Sequence, residues 1–370
     1  MALVNAIDPG TARARLAGWL AERLPGATDV AVDDVTVPQA SGVSNETVLF
    51  EATWREDGAP RRRGLVARVV PGGEGVIPTT YDLATEHAVL RALHADGGVA
   101  VPEPLWHEPR ADVLGAPFLV LERLTGRVPA DDPPFTVEGW VQDLTPEQRG
   151  RLDDAALGAL ATVHATDPAI LDGVPGLLRT VDERLDLYEA FYARIAGEED
   201  RVPNVEAGFR WAREHRPDEP AEPRISWGDA RPGNVVFADD QSVAGVLDWE
   251  MVGLGAPEMD LGWWLFFHRH HTEGIGAPVP EGMRDREATI ARYEELSGAP
   301  VDRAAVDFHE AFAGLRASVM MIRAAQIMVD AGLLPPGNGM ARSNLMLRLF
   351  SSLAGLPAPE GPGVHFIGNR

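Results

Sequence analysis

The sequence predicts an α+β protein in two lobes, an antiparallel-sheet lobe over residues 1–122 and a mostly helical lobe over residues 123–370. Three observations carry this. Short strand-like runs separated by turn residues fill the first third of the chain. Helical periodicity takes over after Leu124-Thr125-Gly126. A length of 370 residues also allows two modest cores as readily as one large one, which favours two lobes.

The elements follow in order. Residues 11–24 place Leu16, Trp19, Leu20 and Leu24 on one helical face, so a short amphipathic helix opens the fold. Residues 35–40 and 43–54 read as strands joined by a turn at Ser41-Gly42; Asp57-Gly58 marks a second turn, and 64–70 a third strand. After a flexible loop at 71–75, residues 81–94 carry Leu83, His87, Leu90 and Leu93 at helical spacing. Two further strands are expected at 101–106 and 117–121. Thr145-Pro146-Glu147-Gln148 then offers a capping hydroxyl, a first-position proline and a Gln three residues on, the start of a helix running to about His164. Helices are expected over 177–195 and within 205–215, followed by a polar, proline-rich linker at 216–223. A hairpin over 234–237 and 243–247 turns at Asp239-Asp240-Gln241-Ser242. Helices return at 259–268, 285–296, 304–329 and 342–353, and the tail from 357 looks loosely ordered.

Composition narrows the chemistry. Apolar residues make up 45% of the chain, yet no window approaches the uncharged run of a membrane span, so no membrane partner is expected. Residues 1–9 lack a basic stretch followed by an apolar core, so no export signal is expected. The absence of cysteine removes disulfides, thiol catalysis and cysteine-ligated zinc, and suits a reducing cytoplasm. A net charge of −23 argues against a nucleic-acid partner. Residues 131–222 hold 21 acids against 9 arginines, either a solvated face or a substrate region that attracts a cation. The chain contains no lysine, and all 33 basic residues are arginine. That excludes a Walker A loop and a Schiff-base amine, and any cation clamping a phosphate must be arginine.

The chemistry concentrates in Trp227-Gly228-Asp229-Ala230-Arg231-Pro232-Gly233-Asn234 and in Leu247-Asp248-Trp249-Glu250. An Asp, four residues, then an Asn is the spacing of a kinase catalytic loop. In that reading Asp229 orients the acceptor hydroxyl and takes its proton. Asn234 and Asp248 supply hard oxygens to Mg2+, and Gly233 lets the loop turn tightly. The competing reading is a surface hairpin with ordinary turn residues.

The string resembles the aminoglycoside phosphotransferase and choline kinase-like family, whose signature reads His-Gly-Asp-x-x-x-x-Asn followed by an Asp on the next strand. Gly253-Leu254-Gly255-Ala256-Pro257-Glu258-Met259-Asp260-Leu261 is similar to the family's Gly-x-Pro-x-x-Asp-Leu continuation. The resemblance implies a protein-kinase-like fold with ATP held between the lobes, GTP not being excluded. It implies a nucleotide-covering turn at Gly42, Ser44 and Asn45, and Arg68 as the phosphate-binding cation of the third strand. It also implies Glu86 as partner of Arg68, and a hinge whose backbone at Glu122 and Leu124 bonds adenine. Three departures matter. Trp227 stands where the family has His. Arg231 either meets the γ-phosphate or pairs with an acid such as Asp260. Trp249-Glu250 replaces Phe-Gly, which argues against a flipping activation switch.

Other candidates read as structural. His268, His270 and His271 are expected at the surface, His164 as a packed core residue, and Arg61-Arg62-Arg63 as a solvated edge. Trp263, Trp264, Phe266 and Phe267 are expected to form core behind the loop, or to line an acceptor pocket. The expected function is phosphotransfer from ATP to a hydroxyl of a small molecule, for which an amino sugar or amino alcohol would suit the acidic region. The alternative is a nucleotide-binding regulatory protein that has lost catalysis. Oligomeric state is left open.

Overall fold

The computed structural model describes residues 7–37, 46–70, 75–78 and 83–364 and divides the chain into two compact units. The first contains the chain up to Ile77, most of the following helix and Pro102–Leu124. The second contains Asp96–Val101 and the chain from Thr125 onward.

The sheet of the first unit has five strands: β1 (Thr28–Thr36), β2 (Glu46–Glu56), β3 (Ala59–Val69), β4 (Pro104–Glu108) and β5 (Phe118–Glu122). Their order is β1-β2-β3-β5-β4, and every pairing is antiparallel. The β2–β3 hairpin turns at Asp57-Gly58, with φ of 51° and 77°, the left-handed pair that matches strand twist in a two-residue turn. Alternation along β2 and β3 puts Val48, Phe50, Ala52, Leu65, Ala67 and Val69 on one face. Leu16, Trp19 and Leu20 of helix α1 (Pro9–Arg23) close that core. Arg68 therefore projects from the other face of β3, where helix α2 (Leu83–Asp96) supplies Glu86.

One expectation about this sheet needs correction. β1 begins at Thr28, seven residues before the expected start at 35, because an edge strand carrying Asp29, Asp33 and Asp34 lacks apolar alternation. Asp29 and Asp34 also have positive φ, 54° and 50°, which interrupts the regular register. The arginine triplet is the solvated edge expected: β5 pairs with β3 only over Leu65–Val69, so residues 61–63 have β2 alone beside them, and Arg61, Arg62 and Arg63 pair with Glu56, Glu51 and Glu103.

The second unit is built on helices α3 (Pro146–Ala165), α4 (Val181–Ile195), α5 (Pro203–His215), α6 (Pro257–His270), α7 (Arg286–Ser297), α8 (Arg303–Asp330), α9 (Met340–Ser343) and α10 (Leu345–Leu353). Thr145 and Gln148 form the expected capping box of α3. α8 is apolar on nearly every side because α4, α5, α6 and α10 pack around it. Two small sheets carry the loops of interest. Strand β6 (Arg224–Ser226) pairs with β9 (Gly253–Gly255), and β7 (Val235–Phe237) pairs with β8 (Val243–Val246). The tail is better tied than expected: Val364 N–H bonds the Ser343 carbonyl at 2.9 Å, and Arg348 reaches the carbonyls of Pro359 and Gly361.

Candidate active site

The loop between β6 and β7 is shaped by one glycine and one carboxylate. Gly228 has φ of 91°, and a Cβ there would lie 2.2 Å from the Met251 carbonyl oxygen, so only glycine lets the two segments meet. Asp260, in the first turn of α6, is fully buried. Its Oδ1 accepts from the Ser226 hydroxyl and the Gly228 N–H, both at 2.9 Å. Its Oδ2 accepts the Trp227 N–H at 2.7 Å and lies 3.0 Å from His164 Nε2. Burial alone would raise this carboxyl; the His164 bond and charge and the two backbone N–H groups outweigh it and hold it below the ordinary value. His164 is in turn bonded to the Tyr293 hydroxyl at 2.5 Å. The histidine is buried as expected, but it braces the loop rather than merely filling space.

Trp227 has a definite place. Its indole N–H donates to the Leu247 carbonyl at 2.8 Å, and its ring lies 6.1 Å from Trp249. Leu247 N–H donates to the Asn234 carbonyl at 2.8 Å. Both peptide groups of Leu247 are thereby fixed, one residue before Asp248. Asp248 has φ of 62°, a left-handed conformation that Asp tolerates better than most residues and that concentrates at functional sites.

Asp229 is buried and held by three donors. Trp263 Nε1–H and Arg231 Nε–H reach its Oδ1 at 2.7 and 2.9 Å, and Asn234 Nδ2 reaches its Oδ2 at 2.6 Å. Asn234 Nδ2 also donates to the Asp229 carbonyl at 3.0 Å, which turns the amide oxygen away from Asp229. The Asn234 amide oxygen and the Asp248 carboxylate are hard donors of the kind Mg2+ takes, with phosphate and water completing the shell. Among the described residues no group of three or more His, Cys, Asp or Glu could hold a metal, and a site of two protein oxygens does not require one.

Arg231 pairs with Asp229 and Asp131 and lies 5.5 Å from the Phe267 ring. The alternative partner Asp260 is therefore corrected: that carboxylate belongs to the loop backbone. Burial alone would make Arg231 less basic; the two carboxylates outweigh it and fix its charge. Gly233 serves differently from expectation. It is not among the positive-φ glycines, but a Cβ there would lie 2.7 Å from Asp131 Oδ1 and 2.8 Å from Arg231 Nη1. The glycine makes room for the ion pair.

Within the first unit, Arg68 Nη1 and Glu86 Oε1 are 2.5 Å apart, with Glu86 buried, so that pair forms as expected. Glu122 N–H donates to the Glu103 carbonyl at 3.0 Å, so it is not the group that would meet adenine. Among the described residues, Leu124 N–H has no backbone partner. Gly42, Ser44 and Asn45 lie outside the described residues.

The histidine group is not at the surface. His270 and His271 are buried, and burial holds both near a pKa of about 3, with the neighbouring His271 adding to it for His270 and Arg231 for His271. Trp263 is buried behind the loop as expected, but sequence reasoning missed its bond to Asp229, the pairing of Asp131 and the bracing roles of Asp260 and His164. The one available signal was the aromatic run after Asp260, in which Trp263 sits one turn further along α6.

Residues 36–316 match the family model described as the phosphotransferase enzyme family. The chain belongs to that family. It is 27% identical over 296 residues to IBR3 of Arabidopsis thaliana, named as a probable acyl-CoA dehydrogenase; the match covers 75% of this chain and 34% of that protein. It is also 27% identical over 290 residues to human acyl-CoA dehydrogenase family member 11, covering 76% and 34%. The chain thus spans about a third of the length of these relatives. Among solved structures, a candidate aminoglycoside phosphotransferase of Ralstonia eutropha superposes with a TM-score of 0.65 at 22% identity, over 92% of this chain and 98% of that one. A thermostable aminoglycoside phosphotransferase APH(4)-Ia variant, solved with ADP and hygromycin B, gives 0.56 at 14%, over 92% and 98%. At these identities the solved structures establish the protein-kinase-like fold alone.

Proposed function

We propose that this phosphotransferase uses ATP and Mg2+ to phosphorylate a hydroxyl group of a small molecule. The observation that carries the reading is the Asp229 carboxylate, held by Asn234, Trp263 and Arg231 with Asp248 anchored beside the same hairpin. Phosphoryl transfer asks for in-line positioning and fixed charge rather than covalent chemistry. Asp229 orients the acceptor hydroxyl and receives its proton as the new O–P bond forms and the bond from the γ-phosphorus to the β–γ bridging oxygen breaks, with ADP leaving. Asn234 and Asp248 would hold Mg2+, which when bound neutralises charge on the nucleotide phosphates. Arg68, directed by Glu86, contacts phosphate oxygens in place of the missing lysine. The ADP in the APH(4)-Ia complex supports a nucleotide donor, and backbone hinge bonds leave GTP as a second donor to compare.

For the acceptor, two lines of support differ. The hygromycin B in that complex supports an amino sugar. The names of the relatives favour a hydroxylated acyl compound instead. The fate of the acids in 131–222 favours the second. Asp153, Asp154, Asp182, Asp186, Glu189 and Glu206 are spent in ion pairs with arginines, and Asp131 is committed to Arg231.

The test is acceptor-dependent ADP release across amino sugars, amino alcohols and hydroxyacyl compounds, with wild type and Asp229→Asn side by side. The variant is expected to keep nucleotide binding and lose about two to four decades of turnover. Equal turnover by the variant on the best acceptor would remove Asp229 from its role. Nucleotide binding with no turnover on any acceptor would favour the regulatory alternative.

A further inference from the structure

We propose that Arg316 anchors an anionic group, a carboxylate or a phosphate, carried by the acceptor. The proposal rests on the phosphotransferase reading for the acceptor's hydroxyl, but the anion site stands on its own observations. Two arginines of the second unit are buried among the described residues, Arg184 and Arg316. Arg184 gives its N–H groups to the carbonyls of Thr180, Leu178 and Leu254 at 3.0, 3.3 and 3.0 Å. Arg316 is 4% exposed and, among the described residues, has neither a hydrogen-bond nor an ion-pair partner; its Nε is enclosed without an acceptor.

Aromatic faces surround the cation instead. Its guanidinium carbon lies 4.5 Å from the Trp263 ring, 5.2 Å from Tyr188 and 5.7 Å from Phe312. Ring faces offset part of the cost of burying a cation, but they do not satisfy the five in-plane N–H donors of a guanidinium. Those donors match the paired oxygens of a carboxylate or phosphate.

A second unsatisfied group lies on the same helix. His309, two turns before Arg316 on α8, is buried and its Nδ1 has no partner among the described residues. Burial and the Arg184 and Arg316 cations keep it neutral, with a pKa of about 3. It can therefore bond a ligand without competing for the anion's charge. α6 lies close against α8 here, because a Cβ on Gly262 would fall within 2.6 Å of the Glu310 backbone nitrogen. Trp263 follows on α6, and its indole N–H is the donor to Asp229 Oδ1. One indole thus joins the unpaired cation to the carboxylate that meets the hydroxyl. Burial of α8 runs through Val319 and relaxes at Met320, one turn past Arg316. A ligand with its anion at Arg316 and its hydroxyl at Asp229 would span Trp263.

The experiment has a binding arm and a turnover arm, both on the full chain. In the first, inorganic phosphate is titrated against intrinsic tryptophan fluorescence and melting temperature. Wild type is expected to respond, Arg316→Gln to bind at least tenfold more weakly, and Arg316→Lys to fall between. Equal responses in wild type and Arg316→Gln overturn the site. In the second, wild-type kcat/KM is compared for a series of hydroxycarboxylic acids and the corresponding neutral amides. A preference of tenfold or more for the acids, collapsing in Arg316→Gln, is expected. Transfer to acids and amides alike overturns the proposal while leaving the phosphotransferase reading intact. Phosphate binding that depends on Arg316, without transfer to any hydroxyl, keeps the anion site and sinks the phosphotransferase reading. The wild-type acid-to-amide comparison decides even if the buried-site variants fail to fold.

Discussion

The candidate site centres on one carboxylate with three side-chain donors aimed at it. Asp229 receives Asn234 on one oxygen and shares Trp263 and Arg231 on the other. A carboxylate so held keeps one rotamer, which is what positioning a hydroxyl demands. The Trp263 bond can be removed without emptying the core, because phenylalanine retains a ring against Phe267, 5.0 Å away. A hydrogen bond to a charged group contributes about 1.5–3 kcal/mol. Trp263→Phe is therefore expected to lower kcat by about ten- to a hundredfold, with nucleotide KM and melting temperature close to wild type. A kcat within twofold of wild type would show that Asp229 is positioned without the indole. A fall in melting temperature with kcat intact would make Trp263 a packing residue.

At the scale of elements, the sequence disclosed those whose signal is local. The capping box at Thr145, the two-residue turn at Asp57-Gly58 and the β7–β8 hairpin each lie within a few residues. β6 and β9 did not show, because strands of three residues carry no periodicity and exist only by pairing with each other. α1 was legible as a helix, but not its clamp on the sheet. Glu108 of β4 accepts from Trp19 Nε1–H at 2.7 Å and Arg110 Nε–H at 2.9 Å, and pairs with Arg23. The Arg110 bonds, with smaller help from Trp19 and Arg23 and against burial, hold the Glu108 carboxyl at about 2 instead of its ordinary 4.5. A carboxyl depressed by folding stabilises the native state above its unfolded pKa and loses that contribution as pH falls through the folded one. The first unit should therefore lose stability between pH 4.5 and about 2. Glu108→Gln should be less stable at pH 7 and show a shallower loss over this window, as read by urea midpoints. Parallel curves for the two proteins would remove Glu108 from the acid response.

Across the whole molecule, legibility follows sequence distance. Asp229, Asn234 and Asp248 were readable because a loop and one hairpin carry all three. Asp131, paired with Arg231 across 100 residues, was not, and neither was Trp263, 34 residues beyond Asp229. Only packing brings those together, and a single sequence carries no trace of it. On the proposed reading, the same trio sets how nucleotide should couple to global stability. A ligand present at about 100 times its Kd adds about 2.7 kcal/mol to the state that binds it. For a chain of this size that corresponds to a rise of about 3–4 °C in melting temperature. Mg2+ should supply much of the gain, since ATP with a chelator would lose the proposed contacts through Asn234 and Asp248. Asp248→Asn is the sharper variant than Ala, because Asn accepts the φ of 62° and removes only the charge. Its melting temperature without ligand should match wild type. Its rise with ATP and Mg2+ should shrink to the value seen with ATP and chelator. An undiminished Mg2+-dependent rise in Asp248→Asn would mean that the left-handed Asp serves the hairpin and that the metal is held elsewhere.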